Sequence, residues 1–451
     1  MGRLFGTDGV RGVANAELTP ELAFHLGWAA AYYFSKEFSE NHPPVFYIGR
    51  DTRVSGQMLE AALAAGICSA GGQAVLLGVV PTPAVAYLTR EHGAQAGVVI
   101  SASHNPYADN GIKFFAGTGY KLPDAVEGEL EDLVMVDKDA MQRPTGTRVG
   151  FISQRHDMLG EYIDYVLSTI DIDIDFRKLK VVVDCANGAA FEAAPAAFKR
   201  LGANVIVLNN RPTGVNINEN CGSTHLEQLQ AAVLEHKADL GLAHDGDADR
   251  CLAVDENGHV VDGDQIMLIC ALELMQQKKL VNDTLVVTVM SNLGLHQAIK
   301  RAGGKVEITP VGDRYVLEAM LEKGLVLGGE QSGHIIFTEH STTGDGLLTA
   351  LQLAAALRKS DKVMSELANV MTRFPQLLVN VRVAAKEGWQ GNAAIQAAIK
   401  AGEAELGENG RILVRPSGTE PLIRVMAEGP SQADLDRIVH KIAAVIKEQQ
   451  G

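Results

Sequence analysis

Short runs of aliphatic and β-branched residues alternate with longer helical patterns along most of the chain. The strand candidates are Val45–Ile48, Ala74–Val79, Gly97–Ile100, Lys180–Val183, Asn204–Leu208, Leu240–Ala243, Leu285–Val289, Lys305–Ile308 and Leu325–Leu327. Helical periodicity lies between them, most clearly over Leu226–His236, Asp264–Lys278 and Gly344–Arg358. This alternation predicts sheets of parallel strands that are covered by helices.

The pattern changes after Pro375. Strands are predicted over Leu377–Val383, Arg411–Arg415 and Pro421–Ala427, with a helix near Asn392–Ala404. A last helix is predicted after Ser431, which is spaced from Asp434 as in a capping box. We therefore expect a separate, smaller α+β unit in the last part of the chain.

Length and charge narrow the function classes. The chain has 451 residues, enough for two to four domains at about 150 residues each. It carries 40 Lys and Arg against 55 Asp and Glu, a formal charge of −15, which argues against a nucleic-acid binder and against a polybasic membrane-surface protein. A small phosphorylated substrate stays compatible, because it needs only a few cations in one cleft.

The cysteines, the uncharged residues 61–89 and the first residues of the chain indicate the compartment in which the protein is expected. The five cysteines are widely spaced without a CxxC pair, so neither a zinc ribbon nor a disulfide framework is expected. Glycines and prolines divide the uncharged residues 61–89 into an Ala-rich helix, a strand and a Pro-rich loop, whereas a membrane span needs about 20 apolar residues. The opening MGRLFGTDGVRG lacks the apolar run of a signal peptide. We expect a soluble, cytoplasmic protein.

Five polar segments, four of which contain glycine, follow predicted strands, which is where open α/β sheets place ligand sites. They are SASHNP (101–106), DGDADR (245–250), SNLG (291–294), GGEQSGH (328–334) and RPSGTEPLIR (415–424). Loops of this kind from several domains suggest a shared site.

The DGDADR segment predicts a cation site. Asp245, Asp247 and Asp249 alternate in a tight loop, and carboxylates brought to one point favour Mg²⁺ or Ca²⁺. An EF-hand is excluded because Arg250 occupies the position that needs glycine in that loop. The alternative is a solvated acidic turn.

The RPSGTEPLIR segment predicts an anion site. Two guanidiniums, two hydroxyls and the amide of Gly418 surround one bend, and a phosphate dianion needs such donors. The alternative is an ordinary hairpin with exposed arginines.

The SASHNP and GEQSGH segments are weak signals when each is taken alone. The first offers Ser103 and His104 on what we expect to be an exposed loop, with Lys113 downstream, but it also fits a Ser-rich turn. The second has the polar side chains that suit sugar hydroxyls. Together with the metal and anion segments, they favour phosphoryl transfer on a small phosphorylated polyol.

As a set, these segments resemble a known family. SASHNP, DGDADR, GEQSGH and RPSGTEPLIR, in this order over the whole chain, resemble the motifs of the α-D-phosphohexomutase superfamily. FGTDGVRG and the form GEQSGH are most similar to its branch that acts on glucosamine phosphate. The resemblance implies an α/β fold of three related α/β domains with mixed sheets and a smaller C-terminal α+β domain around a central cleft. We accordingly place the domains at 1–150, 151–256, 257–374 and 375–451.

The resemblance implies a phosphate carrier and a metal. Ser103 would be a phosphoserine, and one Mg²⁺ per chain would be bound by this phosphate with Asp245, Asp247 and Asp249. The other catalytic positions that it matches are Arg11, His104, Lys113, Arg250 and His334. Among them, Lys113 would transfer protons.

The substrate-binding positions also follow from the resemblance. Sugar hydroxyls would be bound by Glu330, Ser332 and His334. The phosphate that is not transferred would be bound by Arg415, Ser417, Gly418, Thr419 and Arg424. A bisphosphate that turns over in the site needs one constant anchor away from the donor, which fits this division.

The implied reaction interconverts glucosamine 6-phosphate and glucosamine 1-phosphate, toward UDP-N-acetylglucosamine and the bacterial cell wall. A hexosamine or hexose 1,6-bisphosphate would be its intermediate and activator, and the resemblance is compatible with a homodimer. The chain has Gln331 where the glucose and mannose branches carry Met or Glu, which favours the amino sugar.

Three other functions are compatible with part of the pattern. A phosphoglucomutase/phosphomannomutase would use the same chemistry on another sugar. A phosphatase with Asp245 as nucleophile is disfavoured, because the motif lies mid-chain and Asp249 stands where such enzymes have Thr or Val. A non-catalytic sugar-phosphate sensor would not need Ser103 or Lys113.

Overall fold

The computed structural model describes residues 4–6, 8–35, 43–135, 143–417 and 421–451. The chain forms two compact units. Unit 1 contains residues 1–289 and 307–368, and unit 2 contains residues 290–306 and 369–451. Unit 2 therefore combines two separate stretches of the chain.

The elements follow one another in frequent strand–helix alternation. The strands are β1 (Val10–Val13), β2 (Val45–Arg50), β3 (Gln73–Val79), β4 (Ala96–Ile100), β5 (Asp109–Ala116), β6 (Ile152–Gln154), β7 (Lys180–Asp184), β8 (Asn204–Leu208), β9 (Leu240–His244), β10 (Cys251–Asp255), β11 (Val260–Val261), β12 (Thr284–Thr288), β13 (Lys305–Thr309), β14 (Leu327–Gly329), β15 (Ile335–Phe337), β16 (Gln376–Arg382), β17 (Arg411–Pro416) and β18 (Leu422–Glu428). The helices are α1 (Pro20–Ser35), α2 (Gly56–Ser69), α3 (Thr82–Glu91), α4 (Asp124–Val134), α5 (Leu159–Ser168), α6 (Ala190–Arg200), α7 (Glu227–His236), α8 (Gly263–Gln276), α9 (Leu293–Arg301), α10 (Asp313–Lys323), α11 (Gly346–Lys359), α12 (Met364–Ala368), α13 (Ala393–Leu406) and α14 (Gln432–Gln450).

Three sheets belong mainly to unit 1, and all three are mixed or contain antiparallel pairs. Their strand orders are β1-β5-β4-β2-β3-β6, β11-β10-β9-β7-β8 and β13-β12-β14-β15. In the first, β2 is parallel to β3 and β4, whereas β5 is antiparallel to β4 and β1. In the second, β7 is parallel to β8 and β9, and β10 is antiparallel to β9 and β11. The expected α/β class with mixed sheets is confirmed.

The fourth sheet lies in unit 2, where β18 is antiparallel to both β16 and β17. Helices α13 and α14 pack on it through an apolar core that includes Ile395, Ile423 and Ile442. Ser431 caps α14 by accepting a hydrogen bond from the Asp434 amide at 3.4 Å. The smaller C-terminal α+β unit is therefore present as predicted.

A buried carboxylate joins α9 to this sheet within unit 2. Glu428 at the end of β18 is fully buried and accepts hydrogen bonds from Asn292 Nδ2 and the Leu293 amide, each at 3.2 Å. Arg411 Nε also donates to it at 2.6 Å. Since burying an unpaired charge is costly, these donors make α9 an integral part of unit 2.

Most strands that the hydrophobic runs predict are present within one or two residues, but the elements differ in three places. The loop predicted after Pro81 contains α3, because a proline in the first turn gives up no helical hydrogen bond. The strand predicted over Leu325–Leu327 lies two residues later, since Gly328 pairs with Val286 in β12. Strand β6 pairs with β3, so residues 152–154 join the first sheet. The domain boundaries, including the one after residue 150, stay predictions.

In the part of the chain that the structure describes, every helix is too short or too polar to cross a bilayer.

Helices α1 and α2 approach each other so closely that their backbones touch. A Cβ atom on Gly66 would lie 2.0 Å from the Phe24 carbonyl oxygen, and one on Gly27 would lie 2.2 Å from that of Leu63. Backbone atoms cannot yield as a flexible side chain does. The two glycines are therefore required by the packing of the first sheet's helices.

Gly66→Ala is expected to lower the free energy of unfolding by about 3 kcal/mol, because the added methyl overlaps a helix backbone. The control is Gly128→Ala in α4, where an added Cβ meets nothing within 4 Å and the substitution should stabilise the helix by about 0.5 to 1 kcal/mol. The measurement is the midpoint of thermal unfolding of each variant. Equal midpoints for the two variants would contradict the packing argument.

Candidate active site

Three carboxylates converge in the turn between β9 and β10. Asp245, Asp247 and Asp249 are all buried, and one oxygen from each lies within 4.8 Å of the others. The hairpin creates this cluster because the register pairs His244 with Cys251 and leaves the six residues between them as the connection. The alternative of a solvated acidic turn is therefore wrong.

The charges of this cluster are unevenly compensated. Burial, reinforced by the other two carboxylates, raises the pKa of Asp245 well above its ordinary value. Burial also acts to raise that of Asp249, but His334, Lys113 and Arg250 outweigh it and hold this pKa below the ordinary value. Asp247 Oδ1 and Asp249 Oδ1 are buried and accept no hydrogen bond within the described residues. Such oxygens fit a hard divalent cation.

The Ser103 side chain lies directly against the carboxylates. Its Oγ donates to Asp245 Oδ2 at 2.6 Å, and His104 Nδ1 is 3.3 Å away. The expectation that this loop is exposed is wrong, because Ser103 is only 4% exposed. Its backbone is in the left-handed region, with φ of +50°, which turns the hydroxyl toward the neighbouring sheet's loop.

Lys113 and Arg11 lie on paired strands of the first sheet. Arg11 in β1 is opposite Gly111 in β5, two residues before Lys113. Asp8 lies between them, 3.9 Å from Lys113 Nζ and 3.5 Å from Arg11 Nη2. Burial acts to lower the pKa of Lys113, but Asp8 and Asp249 outweigh it, so the pKa lies above its ordinary value. Near neutral pH Lys113 is therefore an ammonium.

The GEQSGH loop reaches the carboxylate cluster through His334. Its Nδ1 is 3.4 Å from Asp249 Oδ2, and its backbone forms an antiparallel bridge with Arg250. Burial acts to lower the pKa of His334, but Asp249 outweighs it and raises this pKa to about 9. Glu330 accepts from the Gly312 amide at 3.0 Å, and the Ser332 hydroxyl is buried with no partner among the residues described here. The loop therefore places the positive charge of His334 beside the carboxylates and adds the polar side chains of Glu330 and Ser332.

Gln331 points away from this cluster. Its Nε2 donates to Asp264 Oδ2 at 3.2 Å and to Asp262 Oδ2 at 3.4 Å, at the beginning of α8. Asp262 forms a capping box there with Gln265. Gln331 therefore joins the loop to the buried acidic start of a helix, where a hydrogen-bond donor suits the two carboxylates and a further carboxylate would be repelled.

The arginine-rich segment lies in unit 2. Arg415 in β17 is directly opposite Arg424 in β18, and Arg424 Nη2 is 3.4 Å from Ser417 Oγ. Burial, and then the charge of Arg424, lower the pKa of Arg415. Like charges facing each other across a sheet are unfavourable, so this pair fits an anion. Gly418 and Thr419 lie outside the described residues.

Several residues of this site were missed by the sequence analysis. Thr82 Oγ1 at the beginning of α3 donates to Asp247 Oδ2 at 2.7 Å, and Asn218 Nδ2 donates to the Ser103 carbonyl at 2.9 Å. The fully buried Asp51 and Arg53 also contact the Ser103 loop. The only sequence signal for Thr82 was the Pro-Thr-Pro run at a helix start. The others act through tertiary contacts that no local pattern indicates.

Sequence models of the phosphoglucomutase/phosphomannomutase family match the chain in four consecutive stretches. They are α/β/α domain I at residues 2–140, α/β/α domain II at 160–258, α/β/α domain III at 262–374 and the C-terminal domain at 378–445.

Relatives match the chain over nearly its whole length. The phosphoglucosamine mutase of Pelotomaculum thermopropionicum is 58% identical over 448 residues, covering 99% of this chain and 100% of that protein. The phosphoglucosamine mutase of Heliobacterium modesticaldum is 56% identical over 463 residues, with the same coverage. The crystal structure of a phosphoglucomutase/phosphomannomutase family protein from Burkholderia thailandensis matches with a TM-score of 0.81 at 25% identity, covering 99% of this chain and 97% of that one.

Gln331→Glu is expected to destabilise the protein in a pH-dependent way. The new carboxyl would face Asp262 and Asp264, so its pKa in the folded state would lie above the unfolded value of about 4.3. The electrostatic loss in free energy of unfolding is therefore absent below about pH 4.3 and grows as the pH rises, to about 1 to 2 kcal/mol at pH 8. The measurement is thermal unfolding at pH 5 and pH 8. Gln331→Met is the control and should lose stability equally at both; the same behaviour from the Glu variant would refute the argument.

Proposed function

Since the chain belongs to the phosphoglucomutase/phosphomannomutase family, we propose that it interconverts glucosamine 6-phosphate and glucosamine 1-phosphate through a phosphate on Ser103. It is an isomerase with hexosamine phosphate mutase activity, in keeping with relatives more than 50% identical over the full chain. The observation that carries the proposed site is the Ser103 hydroxyl, 2.6 Å from a buried cluster of three carboxylates.

The reaction consists of two phosphoryl transfers. In the first, the bond between the phosphoryl group and Ser103 Oγ breaks while a sugar hydroxyl bonds to phosphorus and loses its proton. The resulting 1,6-bisphosphate reverses its orientation, and the second transfer returns the other phosphoryl group to Ser103. Phosphoryl transfer is catalysed mainly by positioning and by compensation of charge, which fits the cations gathered here.

Lys113 and His104 are the proposed proton carriers. Lys113 is an ammonium in the free site and can protonate the sugar oxygen that leaves in the second transfer. By microscopic reversibility it takes up the corresponding proton in the first transfer, for which it must first release its own proton to solvent. His104 Nδ1 lies 3.3 Å from Ser103 Oγ and is placed to exchange the serine proton. Arg11 and Arg250 supply further positive charge for the phosphoryl oxygens.

Asp245, Asp247 and Asp249 would hold one Mg²⁺ together with the phosphoserine. The buried oxygens of Asp247 and Asp249 that lack hydrogen bonds support a cation at this point. Oxygen-only donors match the preference of Mg²⁺, which would compensate the charge of the phosphoryl group. Thr82 fixes the orientation of the Asp247 carboxylate through its hydrogen bond.

The remaining predicted residues would bind the substrate. Glu330, Ser332 and His334 are proposed for the sugar hydroxyls, and the opposed Arg415 and Arg424 with Ser417 for the substrate's other phosphate. Gly418 and Thr419 are assigned to that phosphate by family resemblance alone. We further propose that the product feeds UDP-N-acetylglucosamine synthesis in the cytoplasm, and that the protein is a homodimer.

A phosphoglucomutase/phosphomannomutase is the second candidate. It stays open because Gln331, the residue whose identity suggested the amino sugar, donates to Asp262 and Asp264 at the beginning of α8 and so does not itself distinguish an amine from a hydroxyl. The sugar preference must therefore be measured.

Ser103→Ala is expected to lower kcat by at least about 1,000-fold, because the phosphate carrier is lost. Folding should be nearly unaffected, since the change removes one buried hydrogen bond worth about 1 kcal/mol. The measurements are isomerisation rate and thermal midpoint, with Ser168→Ala at the end of α5 as a control that should keep full activity. Wild-type turnover in the Ser103 variant would refute the phosphoserine mechanism.

The substrate preference is measured as kcat/KM for glucosamine 6-phosphate and for glucose 6-phosphate, with Mg²⁺ and a trace of glucose 1,6-bisphosphate. We expect at least about a tenfold preference for the amino sugar, the usual scale for one polar substituent in a binding site. Chelation of the divalent cation should stop turnover, and added Mg²⁺ should restore it. Equal or reversed preference would assign the protein to the glucose and mannose branch, and release of phosphate without isomerisation would make it a hydrolase.

A further inference from the structure

A fully buried ion pair lies in the turn that follows β2. Arg53 Nε donates to Asp51 Oδ2 at 2.8 Å, and both side chains are 0% exposed. A buried pair of this kind is weak evidence for stability alone, because desolvation offsets much of the attraction. The other bonds of the two side chains indicate what the pair does.

The Arg53 guanidinium binds the backbone of the loop that carries Ser103. Nη2 donates to the carbonyls of Ser103 and Asn105, both at 2.9 Å. Nη1 donates to the carbonyls of Pro106 and, at 3.0 Å, Asp109. One planar group thus ties four carbonyls across seven residues, from Ser103 to the beginning of β5. The ammonium of lysine has no such fork.

Asp51 holds the same loop from its other side. Ser101 Oγ donates to Asp51 Oδ2 at 2.5 Å and accepts a hydrogen bond from the Ser103 amide at 3.0 Å. The amide and the carbonyl of Ser103 are therefore both fixed by one ion pair, the amide through Ser101 and the carbonyl through Arg53.

The hydrogen bonds to its amide and carbonyl hold Ser103 in an unfavourable backbone conformation. Ser103 has φ of +50°, a region that non-glycine residues rarely occupy and that persists only where the surroundings impose it. In this conformation Ser103 Oγ reaches Asp245. Relaxation of φ would move the hydroxyl away from the carboxylates.

We propose that Arg53 is a positioning residue for phosphoryl transfer: with Asp51 and Ser101 it holds Ser103 in the left-handed conformation that directs its oxygen at the carboxylate cluster. This inference rests on the proposed function of Ser103. The guanidinium touches neither the substrate nor the transferred group, so it acts on kcat through the geometry of the loop. A displacement of about 1 Å at a reacting group can cost on the order of 100-fold in rate.

The test is Arg53→Lys, which keeps the charge beside Asp51 and loses the fork. We expect kcat to fall about 100-fold with KM for glucosamine 6-phosphate changed less than about threefold. Transfer from glucose 1,6-bisphosphate to Ser103, followed by mass spectrometry of the intact protein, should slow to the same extent. The matched control is Arg50→Lys at the end of β2, where Arg50 Nε pairs with Glu60 at 3.3 Å; it should keep near wild-type kcat.

Ser101→Ala is the second variant, because it removes one hydroxyl and decides the question even if Arg53→Lys fails to fold. We expect kcat to fall about tenfold in Ser101→Ala, at unchanged KM, per folded molecule measured by circular dichroism. A merely structural role would lower the thermal midpoint and leave kcat per folded molecule unchanged in every variant that folds, and that result would overturn the inference. If Ser103→Ala itself kept its activity, the proposed function would fail instead, so the two failures are distinguishable.

Discussion

Unit 1 depends on the burial of three carboxylates within 4.8 Å of one another. Like charges repel strongly where water is excluded, so Asp245, Asp247 and Asp249 can share this space only if positive charge and hydrogen-bond donors surround them. Lys113 and His334 supply that charge from two different sheets, and both have a pKa above the ordinary value as a result. The same imbalance that would destabilise the three carboxylates alone favours the binding of a divalent cation, as proposed above for Mg²⁺.

Each of the three sheets of unit 1 contributes one loop at a strand end, and these loops carry the side chains of the candidate site. The Ser103 loop follows β4, the carboxylates follow β9, and the GEQSGH loop connects β14 with β15. Chemistry spread over three sheets needs local anchors, since no single element fixes the whole site. Arg53 is such an anchor for the first loop, Thr82 for the second and Gln331 for the third.

The sequence indicated the residues proposed for the chemistry more readily than the residues that hold them in place. Alternating aspartates after an apolar strand are a local pattern, and a tight turn turns them to one point whatever the rest of the fold. The burial of Ser103 could not be predicted in this way, because a left-handed serine depends on contacts from residues fifty positions away. Gln331 shows the same limit: its hydrogen-bond partners lie at the beginning of a helix nearly seventy residues earlier, and from the sequence its identity was interpreted only as favouring the amino sugar.

The division of the chain into units has a consequence for how the protein can be taken apart. Unit 2 takes α9 from the middle of the sequence, and Glu428 is buried against Asn292 and Leu293 at its beginning. A C-terminal fragment that starts at residue 369 would leave this carboxylate without two of its donors. Recombination between relatives at that junction would therefore preserve this contact only where the α9 segment still supplies the two donors to Glu428.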